Sequence, residues 1–217
     1  MQLTVIFDMD GVIVNNGEFH FLAWKKFCEN HNISISKDAF KNKFFGRTNE
    51  EVLPELFGRE LSGEQIISLG NEKEEIYREI YKPHLKPVNG LVSFLKELKK
   101  KNIPVGIATS APPENIDFVI DGLEIRSYIE TIVDDSMVSN GKPAPDIYLE
   151  AANRLKSNPE NCVVFEDSLS GTKAAWDAGT KVVAITTTLT AEKHQHAHII
   201  VDDFERVSVQ FIRNLFT

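Results

Sequence analysis

The sequence predicts an α/β protein, an open and mostly parallel sheet with an all-helical insert after its first strand. Three observations carry this. Short apolar runs recur along the chain, helical apolar periods separate several of them, and from Asn16 to about Lys86 only helical periods are found. The runs are Leu3–Phe7, Val105–Ala108, Thr131–Val133, Cys162–Phe165, Val182–Ile185 and Ile199–Val201. Most are continuous rather than alternating, as expected of parallel strands buried on both faces.

Between the strands, Leu91, Phe94, Leu95 and Leu98 repeat at helical spacing, and the run Lys96–Lys101 reads as that helix's solvated, dipole-favoured end. Ile116, Val119, Ile120 and Leu123 form the next helical stripe, then Ile147, Tyr148, Ala151, Ala152 and Leu155. Ala174, Ala175 and Ala178 precede Gly179, a helix stop. Inside the insert, Phe19, Ala23, Trp24 and Phe27 mark one helix, and Val52, Leu56 and Phe57 a second, with a break expected at Pro54. Ser62 with Gln65 is a capping-box signal before a longer pattern through Ile66, Leu69, Ile76 and Ile80. The expected division is residues 1–14 with 87–217 as the α/β core and 15–86 as the insert. Linkers near Asn15–Gly17 and Lys82–Gly90 would form a hinge, letting the insert close over the sheet's active end.

The 217 residues are 42% hydrophobic and 26% charged, with a net charge of −8. This is the composition of a globular protein, and its charge argues against a nucleic-acid backbone or an anionic membrane as partner. The two cysteines, Cys28 and Cys162, read as buried free thiols of a reducing compartment. No stretch approaches the ~18 apolar residues of a membrane span, and the N-terminus reads as a strand rather than a signal peptide. A cytoplasmic location is expected.

The chemistry gathers at strand ends, where open α/β sheets bind ligands. Asp8 ends the first strand, and Asp10 shares its face if extended geometry persists; Gly11 then permits a turn. Two neighbouring carboxylates repel, so the pair needs a cation, a proton, or both. "VGIATSA" ends in Thr109 and Ser110, "VVFEDS" in Glu166 and Asp167, and "SNGKPAPD" contributes Lys142. Such carboxylates suit a hard dication such as Mg2+, while the lysine and hydroxyls suit an anion. A phosphoryl group satisfies both. Taken singly, each of these residues is more simply a cap, a turn or a solvated side chain; their joint occurrence carries the argument. His194, His196 and His198 read as a solvated loop entering a strand rather than a metal site.

With "FDMDGV", "IATS", "GKPAPD" and "FEDS" in this order, the chain resembles the haloacid dehalogenase superfamily, in its β-phosphoglucomutase-like phosphatase branch. The resemblance implies a Rossmann-like core with a small helical cap and a monomer acting on a small phosphorylated metabolite. It implies that Asp8 is the nucleophile and Asp10 the general acid–base. Thr109 and Ser110 would bind the phosphoryl group, and Lys142 would neutralise its charge. Mg2+ would be held by Asp8, Glu166, Asp167 and the main-chain carbonyl of Asp10. In the cap, Arg47 of "FGRT", His20 and Lys73 match substrate-binding positions. Asp10 favours phosphoryl over dehalogenase chemistry, since a halide leaving group needs no acid.

Two departures stand out. Asn15-Asn16 replaces the family's Asp followed by Ser or Thr, and Ala111-Pro112-Pro113 replaces a polar run that helps mutases hold a second phosphate. The expected function is a Mg2+-dependent phosphatase acting through an aspartyl-phosphate. The alternatives are a phosphomutase of β-phosphoglucomutase type and a catalytically silent binding protein.

Overall fold

The N-terminal apolar run forms β1 (Thr4–Phe7) at the centre of a six-stranded sheet, in this computed structural model, which describes residues 3–36, 38, 40, 43, 44 and 47–216. The other strands are β2 (Val105–Thr109), β3 (Thr131–Asp134), β4 (Cys162–Glu166), β5 (Lys181–Ile185) and β6 (Ile199–Val201). Their order is β3-β2-β1-β4-β5-β6, and every neighbouring pair is parallel. All residues of β1, β2 and β4 are buried, which is why those runs are continuously apolar rather than alternating.

The two faces of β1 meet different cores. Phe7 stacks on Phe165 with ring centroids 5.2 Å apart, and Phe94 and Phe204 close on the pair edgewise or tilted. On the other face, Ile6 and Val164 pack with Ile147, Tyr148, Ala151, Ala174 and Ala175. The helices supplying these layers are α4 (Leu91–Lys100), α5 (Pro113–Gly122), α6 (Asp146–Arg154) and α7 (Leu169–Asp177), the three earlier labels being kept for the insert. The chain's last α-helix, α8 (Val209–Arg213), is capped by Ser208 and lies outside the sequence expectation. Gly90, at φ +79°, begins α4 where an added Cβ would lie 2.4 Å from the Phe204 carbonyl carbon. Only glycine allows that approach.

The chain divides into two compact units, Met1–Asn15 with Lys86–Thr217, and Asn16–Leu85. The second unit is helical: α1 (Gly17–Asn30), α2 (Asn49–Phe57) and α3 (Gly63–Tyr81). Its core gathers Phe21, Trp24, Phe27, Phe40, Val52 and Leu53. The Ser62–Gln65 capping box opens α3, and a second, Thr48–Glu51, opens α2. Pro54 does not break α2, contrary to the sequence expectation. The helix runs on to Phe57 and stops at Gly58, in left-handed conformation. The one hydrogen bond that Pro54 forfeits would end on the carbonyl of Glu50, an exposed residue that water can serve.

α3 departs from its apolar pattern. Its fully buried stripe is Gly70, Lys73, Glu74, Tyr77 and Tyr81, while Ile66, Leu69 and Ile76 are only partly covered. A lysine and a glutamate thus occupy core positions.

Candidate active site

β1 and β4 run in register, Phe7 beside Phe165, so Asp8 and Glu166 leave the two strands side by side. Asp8 continues the pairing by donating its backbone N–H to the Phe165 carbonyl at 3.0 Å. The chain then closes a tight loop: Gly11 N donates to Val14 O at 2.7 Å, and Ile13 N to Met9 O at 2.9 Å. Gly11 sits at φ +83°, and a Cβ there would lie 1.8 Å from Asp167 Oδ2. Its missing side chain is the space that Asp167 fills.

Lys142 reaches into the same corner. Its Nζ donates to Asp8 Oδ1 at 2.6 Å, Glu166 Oε1 at 2.8 Å and the Ala108 carbonyl at 3.3 Å, above the face of Tyr148. Glu166 is saturated. Oε1 also accepts from Tyr148 Oη, and Oε2 accepts from the backbone N–H groups of Asp167 and Ser168 and from Ser168 Oγ. A Cβ on Gly171 would strike that carboxylate at 1.6 Å, so the first turn of α7 leaves room for it.

Three buried carboxylates therefore face one buried ammonium. Burial raises Asp8 to about 7, against the pull of Lys142 and with a further push from Glu166. Asp167 is raised well above the ordinary carboxylate range by burial and then by Glu166 and Asp8. Glu166 would also rise on burial, but Lys142 and its hydrogen bonds take it below the ordinary value. Lys142 is held well above its ordinary value by Asp8 and Glu166, which together overcome burial. The three acids cannot all ionise around one ammonium without further positive charge.

Among the described residues, Asp8, Glu166 and Asp167 form the one group of potential metal ligands that could share an ion, with ligand atoms within 4.8 Å of one another. All are hard oxygen donors, and a dication would supply the further positive charge, so the residues fit Mg2+. Glu166 has its oxygens committed elsewhere, which leaves Asp8 and Asp167 as the better-placed donors.

The remaining expected residues fall as follows. Asp10 lies two positions beyond Asp8, half-buried, with its carboxylate outside the group of three. Thr109, buried at the end of β2, accepts from Ala111 N at 3.1 Å, and Ser110 beside it is exposed. In the helical unit, exposed Arg47 donates to Glu55 Oε2 at 2.8 Å and to the carbonyls of Lys43 and Glu51. Lys73 is 3% exposed; its Nζ donates to Glu74 Oε1 at 2.8 Å and lies 3.1 Å from His20 Nδ1. Of the histidine triplet, His194 is buried, because a short turn at Ala191–Lys193 carries it inward; the expectation of a wholly solvated loop is incorrect there.

Three contributors escape the sequence reading. Thr188 Oγ1 donates to Asp167 Oδ2, Thr187 Oγ1 donates to the Gly11 carbonyl, and Tyr148 braces Glu166. The run "TTTLT" directly after β5 is the available signal for the threonines, since it too leaves the sheet at a strand's C-terminal end.

A parallel sheet delivering an acidic cluster and a lysine to its C-terminal edge, with a helical insert after β1, defines a class, and the chain belongs to it: the haloacid dehalogenase-like hydrolases, whose family model matches residues 5–185. Within that superfamily it falls in the β-phosphoglucomutase-like branch. It is 35% identical over 178 residues to a phosphorylated carbohydrates phosphatase of Thermotoga maritima, covering 81% of each chain. It is 33% identical over 192 residues to the β-phosphoglucomutase of Bacillus subtilis, covering 83% of this chain and 82% of that one. Among solved structures, a HAD hydrolase of family IA from Entamoeba histolytica matches with a TM-score of 0.91 and 28% identity over 98% of each chain. No helix among the described residues is long and apolar enough to cross a membrane.

Proposed function

We propose that the chain is a Mg2+-dependent phosphatase that hydrolyses a small organic phosphate ester through an aspartyl-phosphate on Asp8. The observation that carries this reading is the buried Asp8 carboxylate, held through one oxygen by Lys142 beside a second buried acid, Asp167. Asp8 attacks phosphorus as the bond to the leaving oxygen breaks, and Asp10 gives that oxygen its proton. Asp10 then takes a proton from water as the water attacks the aspartyl-phosphate, releasing phosphate and restoring Asp8. Lys142, fixed by Glu166, offsets the charge brought together when an anionic ester meets an anionic nucleophile. Thr109 and Ser110 offer hydroxyls to the phosphoryl oxygens. Asp8 and Asp167, with the Asp10 carbonyl and Glu166 at the edge, would hold Mg2+, which when bound supplies further positive charge to the phosphoryl oxygens. Arg47 and His20 belong to substrate binding in this reading. The two free buried cysteines accord with a cytoplasmic setting.

The second reading is a phosphomutase, favoured by the similarity to β-phosphoglucomutases. The loop after β2 speaks against it. Ala111 donates its N–H to Thr109, Pro112 and Pro113 have none, and Asn115 and Ile116 donate back to the Pro112 carbonyl. That leaves few donors for a second phosphate. A panel of phosphate monoesters with Mg2+, scored for free phosphate, tests the reading. Turnover should appear on sugar or polyol phosphates and fall by several orders of magnitude in Asp8→Asn. Rapid conversion of β-glucose 1-phosphate to the 6-phosphate with a bisphosphate primer, and little phosphate released, would overturn it.

A further inference from the structure

The buried polar stripe of α3 holds more than an ion pair. Lys73 Nζ lies 2.8 Å from Glu74 Oε1 and 3.1 Å from His20 Nδ1, and Asn49 Nδ2 donates to the same glutamate oxygen at 3.0 Å. The His20 ring lies flat on Tyr77, with centroids 4.0 Å apart and planes 5° from parallel. On the far side of His20, Nε2 is 3.4 Å from Asn16 Nδ2, the same atom that is placed as a donor to Tyr77 Oη at 2.6 Å. Asn16 is the first residue of the helical unit.

The supply of donors and acceptors gives this chain of groups a direction. An ammonium has three donors and no acceptor, so His20 Nδ1 must accept from Lys73. The ring proton then sits on Nε2, which donates towards Asn16. An Asn amide exchanges its oxygen and nitrogen by a half-turn; the structure places Nδ2 at both contacts, and an Nε2–H calls for the oxygen there instead. The Tyr77 contact agrees independently. A separation of 2.6 Å is short for N–H···O but ordinary for O–H···O, as when Tyr77 donates to the amide oxygen.

We infer that Glu74 is a positioning residue: by holding the Lys73 ammonium against His20 Nδ1, it fixes His20 as the Nε2–H tautomer donating to the Asn16 side-chain oxygen. Glu74 remains a carboxylate throughout. Burial would raise it, but Lys73 brings it down to about 2. The arrangement also reassigns Lys73, whose ammonium is engaged inside the helical unit. Its kinetic consequence, though not the tautomer itself, rests on the reading that His20 binds substrate.

Long-range proton–nitrogen correlation spectra of the full chain labelled with 15N-histidine test the assignment. His20 should show a bare Nδ1 and a protonated Nε2. Glu74→Gln should shift both nitrogens towards the values of a ring exchanging between tautomers. It should also raise KM for the best panel substrate several-fold, since substrate must then take Nε2–H over from Asn16 on a less ordered ring, with a smaller change in kcat. A wild-type His20 protonated on Nδ1 overturns the inference without need of any variant. So does a Glu74→Gln spectrum identical to wild type. If the panel gives no turnover, the proposed function fails while the spectra still decide the tautomer.

Discussion

At the scale of single residues, the site is built as much by what is absent as by what is present. Gly11 and Gly171 leave the volumes that Asp167 and Glu166 occupy. The acids themselves are legible in the sequence because each follows an apolar run, and a carboxylate at such a place needs a reason. Thr188 is not legible. A hydroxyl after a strand is unremarkable until the fold brings it to Asp167, 21 positions earlier in the chain. Its removal should be felt at the metal. Thr188→Val is expected to weaken Mg2+ binding roughly 10–100-fold, the usual cost of losing a group that orients a ligand, as read by calorimetric titration. Unchanged affinity would show that Asp167 is held by its surroundings alone.

At the scale of elements, β1, β2 and β4 can be read because burial on both faces imposes continuous apolar runs, a pattern that solvent-facing strands lack. The buried face of α3 cannot. Lys73 and Glu74 read as surface residues by type, and only their pairing inside the fold makes their burial tolerable. The short α8 has too few residues to display a period. The aromatic layer joining β1, β4 and α4 is where element packing is most exposed to damage. Phe94, 2% exposed, touches Phe7, Phe165 and Phe204 at once. Phe94→Ala should cost about 3–5 kcal/mol by lost burial and cavity formation, measurable by urea denaturation. A loss under about 1 kcal/mol would mean that the layer collapses around the gap.

At the scale of the whole molecule, the acidic corner ties stability to pH and to metal. A carboxyl raised on folding binds its proton more tightly in the folded state, so stability falls as pH climbs from the unfolded value through the folded one. For Asp8 that window runs from 3.8 to about 7, and the raised Asp167 acts in the same sense. Glu166, lowered, gives the opposite slope only at the acid end. Each unit is worth about 1.4 kcal/mol, so the metal-free protein should lose a few kcal/mol across the window. Its melting temperature in EDTA should drop between about pH 5 and pH 7, and saturating Mg2+ should flatten the drop by taking the proton's place. Coincident curves with and without Mg2+ would remove the metal from the account.

The central place of β1 also sets an order of events during synthesis. β1 pairs with strands that begin far behind it in the chain, at Val105 and Cys162. At about 5–20 residues per second, its last partner arrives some ten to thirty seconds later. Residues 16–85, which form the helical unit, are synthesised in between. For much of its synthesis, then, β1 is an apolar strand without the neighbours it pairs with. The segment that ends at Asp8 is the one most in need of a chaperone's shelter while it waits.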